Sequence, residues 1–315
     1  MNKKNVFTYS TFALIVLLFP FIIGKDSYFL VTMIIVGITV IVTEGLTILI
    51  GFAGQLSLAQ AAFYGVGAYV SAILSTRFCI APLFSIIFAV LFTSLLAYVV
   101  GIPALKLKGH YLAMVTLGFG EIINIIFKEW GSLTGGPSGM VGIPQLSFFG
   151  NKLQSDVEYY FFVWIVVLII TVFLLNIVNS RIGRGLLAIK DYEEAAEALG
   201  VPIAKYKIKA FVLSAALGAL GGGLYAHYVT VISPETFETA NSIILVTMVI
   251  AGGATYIWGA IVGTFLFIIL PEMLQIFEDY NMLIYGFILL FILMFMPQGV
   301  VGIFNFILQK NKNNL

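Results

Sequence analysis

The sequence predicts an all-α polytopic membrane protein with about ten transmembrane helices, and two observations support this prediction. Of the 315 residues, 61% are hydrophobic and 10% are charged, whereas soluble domains have about 45–50% apolar and about 25% charged residues. The apolar residues also occur in runs of about 15 to 22, which as helices are long enough to cross a hydrocarbon core of about 30 Å. Backbone amides in lipid need internal partners, which favours helices.

Ten apolar segments are predicted to be the membrane spans of a single domain that covers residues 1–315. The first follows Lys3 and Lys4 and is interpreted as an uncleaved span, because no clear small-residue cleavage site follows it. The segments 241–253 and 257–270 are short for full crossings, and they could form one broken hairpin. The spans are 8–23, 29–50, 61–76, 82–103, 111–127, 158–178, 210–231, 241–253, 257–270 and 282–296.

The distribution of lysine and arginine predicts that both termini are cytosolic, since these residues favour the inner ends of spans. With this orientation the inner segments hold twelve basic residues: Lys3, Lys4, Lys106, Lys108, Arg181, Arg184, Lys190, Lys205, Lys207, Lys209, Lys310 and Lys312. The outer segments hold four: Lys25, Arg77, Lys128 and Lys152. Because both tails then lie inside, the number of spans is even.

The loop 179–209 is the long charged loop on the predicted cytosolic side, and its middle is predicted to form a short amphipathic helix. Ala188, Tyr192, Ala195 and Leu199 fall at i, i+4, i+7 and i+11, so they would share one face of that helix. Gly200, followed by a proline, would end it. This apolar face needs a cover, which is either a cytosolic partner with a matching groove or membrane lipid headgroups.

Several motifs of this chain resemble those of ATP-binding-cassette (ABC) importer permeases. Glu194, Ala195, Ala196 and Gly200 are similar to the EAA-x-x-x-G signature of their cytosolic loop helix. Five further motifs occur in the order found in the LivM-type permeases of branched-chain amino-acid ABC importers. These are GFAGQLSL at 51–58, GHYLAMVTLGFGE at 109–121, LTGGP at 133–137, SRIGR at 180–184 and ISPE at 232–235.

The resemblance implies a transport subunit rather than an enzyme, located in a bacterial or archaeal cytoplasmic membrane. It implies a second homologous permease, two cytosolic ABC ATPases that use ATP and Mg²⁺, and an extracytoplasmic solute-binding protein. The expected cargo is a branched-chain or other hydrophobic or small amino acid, with urea or short amides as the alternative. The residues expected to couple this chain to the ATPases are Tyr192, Glu194, Ala195, Ala196, Leu199 and Gly200. The chain itself has no G-x-x-x-x-G-K-[ST] loop and is expected to bind no cofactor.

The stretch 51–60 is predicted to border the translocation path. Gly51, Gly54, Gln55, Ser57 and Gln60 interrupt two apolar runs, and irregular backbone at membrane depth is tolerated only where protein or a watery cavity surrounds it. The alternative is an ordinary tight turn at the inner surface.

Glu44 and Glu121 lie inside predicted spans, where an ionisable side chain is a functional candidate by default. The alternatives are structural: Glu121 could pair with Lys128, and Glu44 could reach the membrane surface. His227, near an outer span end, is interpreted as an interfacial residue rather than a ligand.

Composition argues against several other classes of function. The net charge of +1 and the absence of a basic block argue against nucleic-acid binding, and one cysteine with two histidines gives little for a metal site or a hydrolytic triad. An ion-coupled secondary transporter remains an alternative, because such proteins carry intramembrane charges. Pairs of small residues, such as Gly218 with Gly222 and Gly259 with Gly263, predict close helix packing.

Overall fold

A computed structural model describes residues 19–20, 28–148, 151–153 and 155–274, with scattered positions between 284 and 302. The described part is a helical bundle, as the composition predicts. Its helices are α1 (Tyr28–Thr47), α2 (Gln60–Arg77), α3 (Pro82–Ala104), α4 (His110–Glu129), α5 (Gly131–Thr134), α6 (Asp156–Val178), α7 (Arg181–Asp191), α8 (Glu193–Ala198), α9 (Ile203–Val229), α10 (Thr239–Gly252) and α11 (Ile257–Leu274).

Eight predicted spans fall on helices, with ends that differ by a few residues. α9 begins seven residues before its predicted span, and its first two turns carry Lys205, Lys207 and Lys209. The predicted spans 8–23 and 282–296 lie outside the described residues apart from isolated positions. The total of about ten spans and the cytosolic termini therefore stay predictions.

Six described helical segments are long and apolar enough to cross a bilayer: Tyr28–Phe52, Pro82–Ala104, His110–Glu129, Asp156–Val178, Ile203–Val229 and Ile257–Leu274. α10 is apolar but has 14 residues, about 21 Å of helix. It packs antiparallel on α11 across the turn at 253–256. Gly263 permits this close contact, since a Cβ atom there would lie 1.9 Å from the carbonyl oxygen of Met248. The short pair is thus a tight hairpin.

α9 lies at the centre of the bundle and packs against α1, α2 and α3. The small residues predicted to allow close packing lie at these contacts. A Cβ atom on Gly222 would lie 2.0 Å from the carbonyl oxygen of Tyr64 on α2. α1 is buried over most of its surface, which explains why it is apolar on all sides.

The two ends of the bundle differ in charge. We call the end that carries residues 105–109 and 179–202 the basic end. It holds eight of the basic residues in the described part: Lys106, Lys108, Arg181, Arg184, Lys190, Lys205, Lys207 and Lys209. The opposite end holds Arg77, Lys128 and Lys152.

Two short antiparallel strand pairs lie at the opposite end. β1 (Met140–Val141) pairs with β4 (Val231–Ile232), and β2 (Ser147–Phe148) pairs with β3 (Asn151–Lys152). The first pair joins the loop that precedes α6 to the loop that follows α9.

Candidate functional site

Segment 53–59 is an irregular stretch that runs from the basic end into the middle of the bundle. α1 ends in a π-helical turn, Ile48–Phe52, and the next helix begins at Gln60. At its start, Gly54 lies against Lys190 of α7. At its end, Gln60 contacts Val42 of α1 and Ser214 of α9. Val42 lies about 21 Å from the start of α1, and Ser214 lies about 16 Å from the start of α9. The first residue of α2 is therefore near the middle of the bundle.

Side chains from other helices satisfy the backbone of this break. Thr116 Oγ1 of α4 accepts a hydrogen bond from the Leu58 amide at 3.0 Å. Ser242 Oγ of α10 accepts one from the Ala61 amide at 2.9 Å. Free amides are costly in an apolar interior, and these hydroxyl groups therefore make an interrupted helix possible here.

Gln60 is the side chain that joins the break to the centre of the bundle. Its Nε2 donates to the carbonyl oxygens of Val42 and Ser214, both at 3.1 Å, and its Oε1 accepts from Ser214 Oγ at 3.0 Å. Gly218 leaves room for this amide, because a Cβ atom at that position would lie 3.1 Å from Nε2. The amide thus bridges α1, α2 and α9.

Side chains in segment 53–59 alternate between buried and more exposed positions. Gln55 and Ser57 are buried, while Leu56 and Leu58 are partly exposed. The polar residues that the sequence singles out therefore face the bundle interior in this chain, and leucine side chains face outward. Both polar side-chain atoms of Gln55 are buried without a hydrogen-bond partner among the described residues.

Gly51 lies in close backbone contact with the turn between α10 and α11. A Cβ atom on it would lie 1.6 Å from the carbonyl oxygen of Ala254, in the turn between α10 and α11. Its own carbonyl oxygen accepts a hydrogen bond from Lys190 Nζ at 2.8 Å. Gly51 is therefore a junction between α1, α7 and the α10–α11 hairpin.

Glu44 is fully buried between α1 and α6. Thr171 Oγ1 donates to its Oε1 at 2.6 Å, and its Oε2 is buried without a hydrogen-bond partner in the described part of the chain. The alternative that Glu44 reaches the membrane surface is wrong, because α1 is covered on all sides at this depth.

Glu121 is exposed in the middle of α4. Thr239 Oγ1, at the start of α10, donates to its Oε2 at 3.0 Å. Lys128 forms its salt bridge with Glu238 at 2.7 Å instead. Glu121 therefore forms no salt bridge with Lys128, although the two charges interact at longer range.

The loop 179–209 contains two helices where the sequence predicts one. α7 ends at Asp191, Tyr192 is extended with φ −149° and ψ 95°, and α8 begins at Glu193. The stripe of Ala188, Tyr192, Ala195 and Leu199 is consequently broken at its second member. The prediction of one continuous helix through Tyr192 is therefore wrong, because side chains on the two sides of the break contact different parts of the bundle.

Lys190 and Glu193, which lie on either side of the break, make these contacts. Lys190 donates to the Gly51 carbonyl oxygen, as described above. Glu193 contacts Lys207 of α9 at 2.9 Å and Lys108, between α3 and α4, at 3.6 Å. These groups surround a polar cavity of about 170 Å³ beneath the loop. The two short helices are thus attached to the end of α1, to the turn between α3 and α4, and to α9.

The predicted coupling residues lie on or beside α8, and all but one of them are exposed. Glu194, Ala195 and Gly200 are exposed, as are Tyr192 (77%) and Leu199 (83%), while Ala196 is buried against the bundle. Tyr192 and Leu199 flank α8 and Ala195 lies within it, so this short helix and its two ends carry exposed apolar side chains.

Gly200 ends α8, as predicted. It has φ +81°, its amide donates to the Glu197 carbonyl oxygen at 2.8 Å, and the Val201 amide donates to the Ala196 carbonyl oxygen at 3.0 Å. This is the Schellman arrangement, which favours glycine at the left-handed position.

His227 is a buried residue rather than an interfacial one, which corrects the sequence interpretation. It is fully buried and contacts Ser71 Oγ at 2.8 Å and Ser85 Oγ at 3.3 Å through Nε2. Its Nδ1 lies 2.7 Å from the carbonyl oxygen of Pro144. The network joins α2, α3, α9 and the loop before α6. Among the described residues, no three His, Cys, Asp or Glu side chains cluster as metal ligands would.

Comparison with known proteins gives the family of the chain. The model of the family described as branched-chain amino acid transport system / permease component matches residues 27–293. The chain is 30% identical to the high-affinity branched-chain amino acid transport system permease protein LivM of Salmonella typhimurium, over 90% of this chain and 71% of that protein. It is 29% identical to LivM of Escherichia coli, over 95% and 75%.

A further relative is the probable branched-chain amino acid transport permease protein LivH of Methanocaldococcus jannaschii, which is 24% identical over 84% of this chain and 88% of that protein. No solved structure matches the chain. The family match covers helices α1 to α11, including the break at segment 53–59 and the paired helices α7 and α8. This chain belongs to the family of permease components of branched-chain amino acid transport systems.

Proposed function

We propose that this chain is one of two membrane-spanning permeases of an ATP-driven importer, and that its cargo is a branched-chain or similarly apolar amino acid. The family and the names of the LivM relatives support the cargo. Similarity to both LivM and LivH proteins supports a second homologous permease as its partner. Importers of this design also have two cytosolic ATPases, which would bind the ATP and Mg²⁺, and a solute-binding protein outside the membrane.

The observation that carries this proposal is the geometry of α7 and α8. Tyr192 and Leu199 present an apolar surface at the basic end, while Lys190 and Glu193 connect the same helices to the bundle. A small exposed apolar face on a charged loop is suited to a groove in a partner protein. The excess of basic residues favours a cytosolic location for this end, where the ATPases would dock.

The translocation path is proposed to run along segment 53–59 and the exposed face of α4. Leu56, Leu58 and Glu121 would face the path, while Gln55, Ser57 and Gln60 lie behind them. Gly51 and Gly54 would serve the path indirectly, through their contacts with the α10–α11 hairpin and with α7. Glu44 lies within the bundle on another side of α1, so we assign it to packing between α1 and α6. The chain positions and gates the cargo and makes or breaks no covalent bond.

The test is a pair of aspartate substitutions on the exposed face of α8, Tyr192→Asp with Leu199→Asp, in the chain coexpressed with its ATPase subunits. We expect the ATPases to be lost from the purified complex, and ATP-driven uptake into vesicles to be lost with them. Val141→Asp is the matched control, because Val141 is an equally exposed apolar residue (70%) at the opposite end.

Two results would contradict the proposal. The first is an α8 variant that keeps its ATPases and its uptake. The second is uptake by the unmodified protein that an imposed ion gradient drives without ATP, which would favour an ion-coupled transporter instead.

A further inference from the structure

The carboxylate of Glu121 is exposed in the middle of α4, a helix long and apolar enough to cross a bilayer, where charged side chains are rare. Glu121 lies about 16 Å from the start of α4 and about 12 Å from its end, measured along the helix. Within the described helices that cross the bundle, Glu121 is the one acidic or basic residue in the middle third of a helix, and Glu44 lies three residues before the end of α1. Glu44 is enclosed, whereas Glu121 faces outward.

The surface around Glu121 is apolar and open. Leu117, Ile122 and Ile125 on the same side of α4 are all exposed. Gly118, one turn before Glu121, has open space beside it, because a Cβ atom there would meet nothing within 4 Å. The carbonyl oxygen of Leu58 lies 3.5 Å from the corresponding position on Gly120. The exposed end of segment 53–59 therefore adjoins this surface.

Within the described residues, the charge of Glu121 has no cationic partner in contact. The nearby Lys128 is bound to Glu238, and the hydrogen bond to Glu121 comes from the neutral hydroxyl of Thr239. A carboxylate held by one hydroxyl group is costly against lipid chains, since intramembrane charges need a partner or water. The surface is therefore suited to water and a cationic group rather than to lipid.

A free amino acid with a branched apolar side chain matches both properties of this surface. Its ammonium group has three donors that need a charged acceptor, and its side chain gains by contact with leucine and isoleucine. We propose that Glu121 binds the ammonium group of the transported amino acid, that Thr239 orients the carboxylate, and that Leu58 and Leu117 contact the apolar side chain. This proposal rests on the proposed function, because it places this face of α4 along the path between the two permeases.

The experiment measures binding of radiolabelled leucine to the assembled transporter in nanodiscs without the solute-binding protein. Glu121→Gln keeps the size of the side chain but removes the charge, and we expect it to weaken leucine binding by about tenfold or more. Glu121→Asp should retain part of the affinity. Glu129→Gln, an exposed glutamate at the end of the same helix, is the control and should bind leucine as the unmodified protein does.

Competition by two analogues separates ammonium binding from a structural effect. In the unmodified protein, 3-methylbutylamine, which keeps the ammonium group, should displace leucine better than 4-methylpentanoate, which lacks it. Glu121→Gln should abolish this preference.

Leucine binding that is unchanged in Glu121→Gln would overturn the proposal. So would loss of the second permease from the complex, because Glu121 would then bind a residue of the partner subunit. ATP-driven uptake by the unmodified transporter is measured in parallel, so that a failure of the proposed function is seen separately.

Discussion

The buried amide of Gln60 helps to stabilise the break between α1 and α2, and the substitution Gln60→Leu tests this contribution directly. The leucine side chain has similar volume but makes none of the three hydrogen bonds to Val42 and Ser214. Side-chain hydrogen bonds between membrane helices contribute about 0.6 kcal/mol on average, with a maximum near 1.7. Three such bonds correspond to about 2 kcal/mol of unfolding free energy, and the unpaired buried hydroxyl of Ser214 adds to the loss.

The assay is reversible unfolding of the purified chain in mixed micelles, followed by tryptophan fluorescence. Gln145→Leu is the matched control, because Gln145 is exposed in the loop before α6 and its substitution should change the unfolding free energy by less than about 0.5 kcal/mol. Equal stability of the two variants would refute the reasoning, since packing and the hydroxyl groups of Thr116 and Ser242 would then be sufficient to stabilise the helix break.

Two further predictions follow from the geometry of single residues. Gly200→Ala should destabilise the end of α8 by about 1–2 kcal/mol, because the φ of +81° is unfavourable for alanine. Hydrogen exchange of the α8 amides measures this change. Gly131→Ala is the control and should show no comparable change, because Gly131 has open space around it. Glu44→Gln should keep uptake within about twofold, since an amide oxygen can still accept the hydrogen bond from Thr171, whereas Glu44→Ala should reduce the yield of folded protein. Loss of uptake in Glu44→Gln with a normal yield would instead indicate that the carboxyl group itself takes part in transport.

The positions of the helices could be predicted from the sequence because membrane burial is a strong and local constraint. An apolar run of sufficient length has few alternatives to a helix in lipid. The close packing at Gly222 and Gly263 was also predictable, since small residues four apart allow two backbones to approach. These features depend on residues that are neighbours in the sequence or on one helix face.

The features that sequence reasoning missed depend on contacts between distant residues. Spacing arguments assume an unbroken helix through Tyr192, but the ties of Lys190 to Gly51 and of Glu193 to Lys207 separate α7 from α8. His227 lies near a helix end and looks interfacial by position. Its serine partners come from α2 and α3, more than 140 residues earlier in the chain.

Segment 53–59 shows a further reason why sequence reasoning could not place every side chain. Its polar residues correctly indicate irregular backbone at depth, but the side chains of this segment alternate between buried and partly exposed positions. Whether Gln55 or Leu56 faces outward depends on which side packs against the bundle. That is a property of the tertiary fold, and seven residues carry too little pattern to determine it.

The contacts of Gly51 indicate how movement of α7 would reach the proposed path. Lys190 holds the Gly51 carbonyl oxygen, and the backbone of Gly51 contacts Ala254 so closely that a methyl group cannot fit between them. Packed elements without free space move together rather than deform. A partner that displaces α7 would therefore move the start of segment 53–59 and the α10–α11 hairpin as one unit. α10 carries Thr239 and Ser242, so the same movement would shift the hydroxyl groups that hold Glu121 and the amide of Ala61.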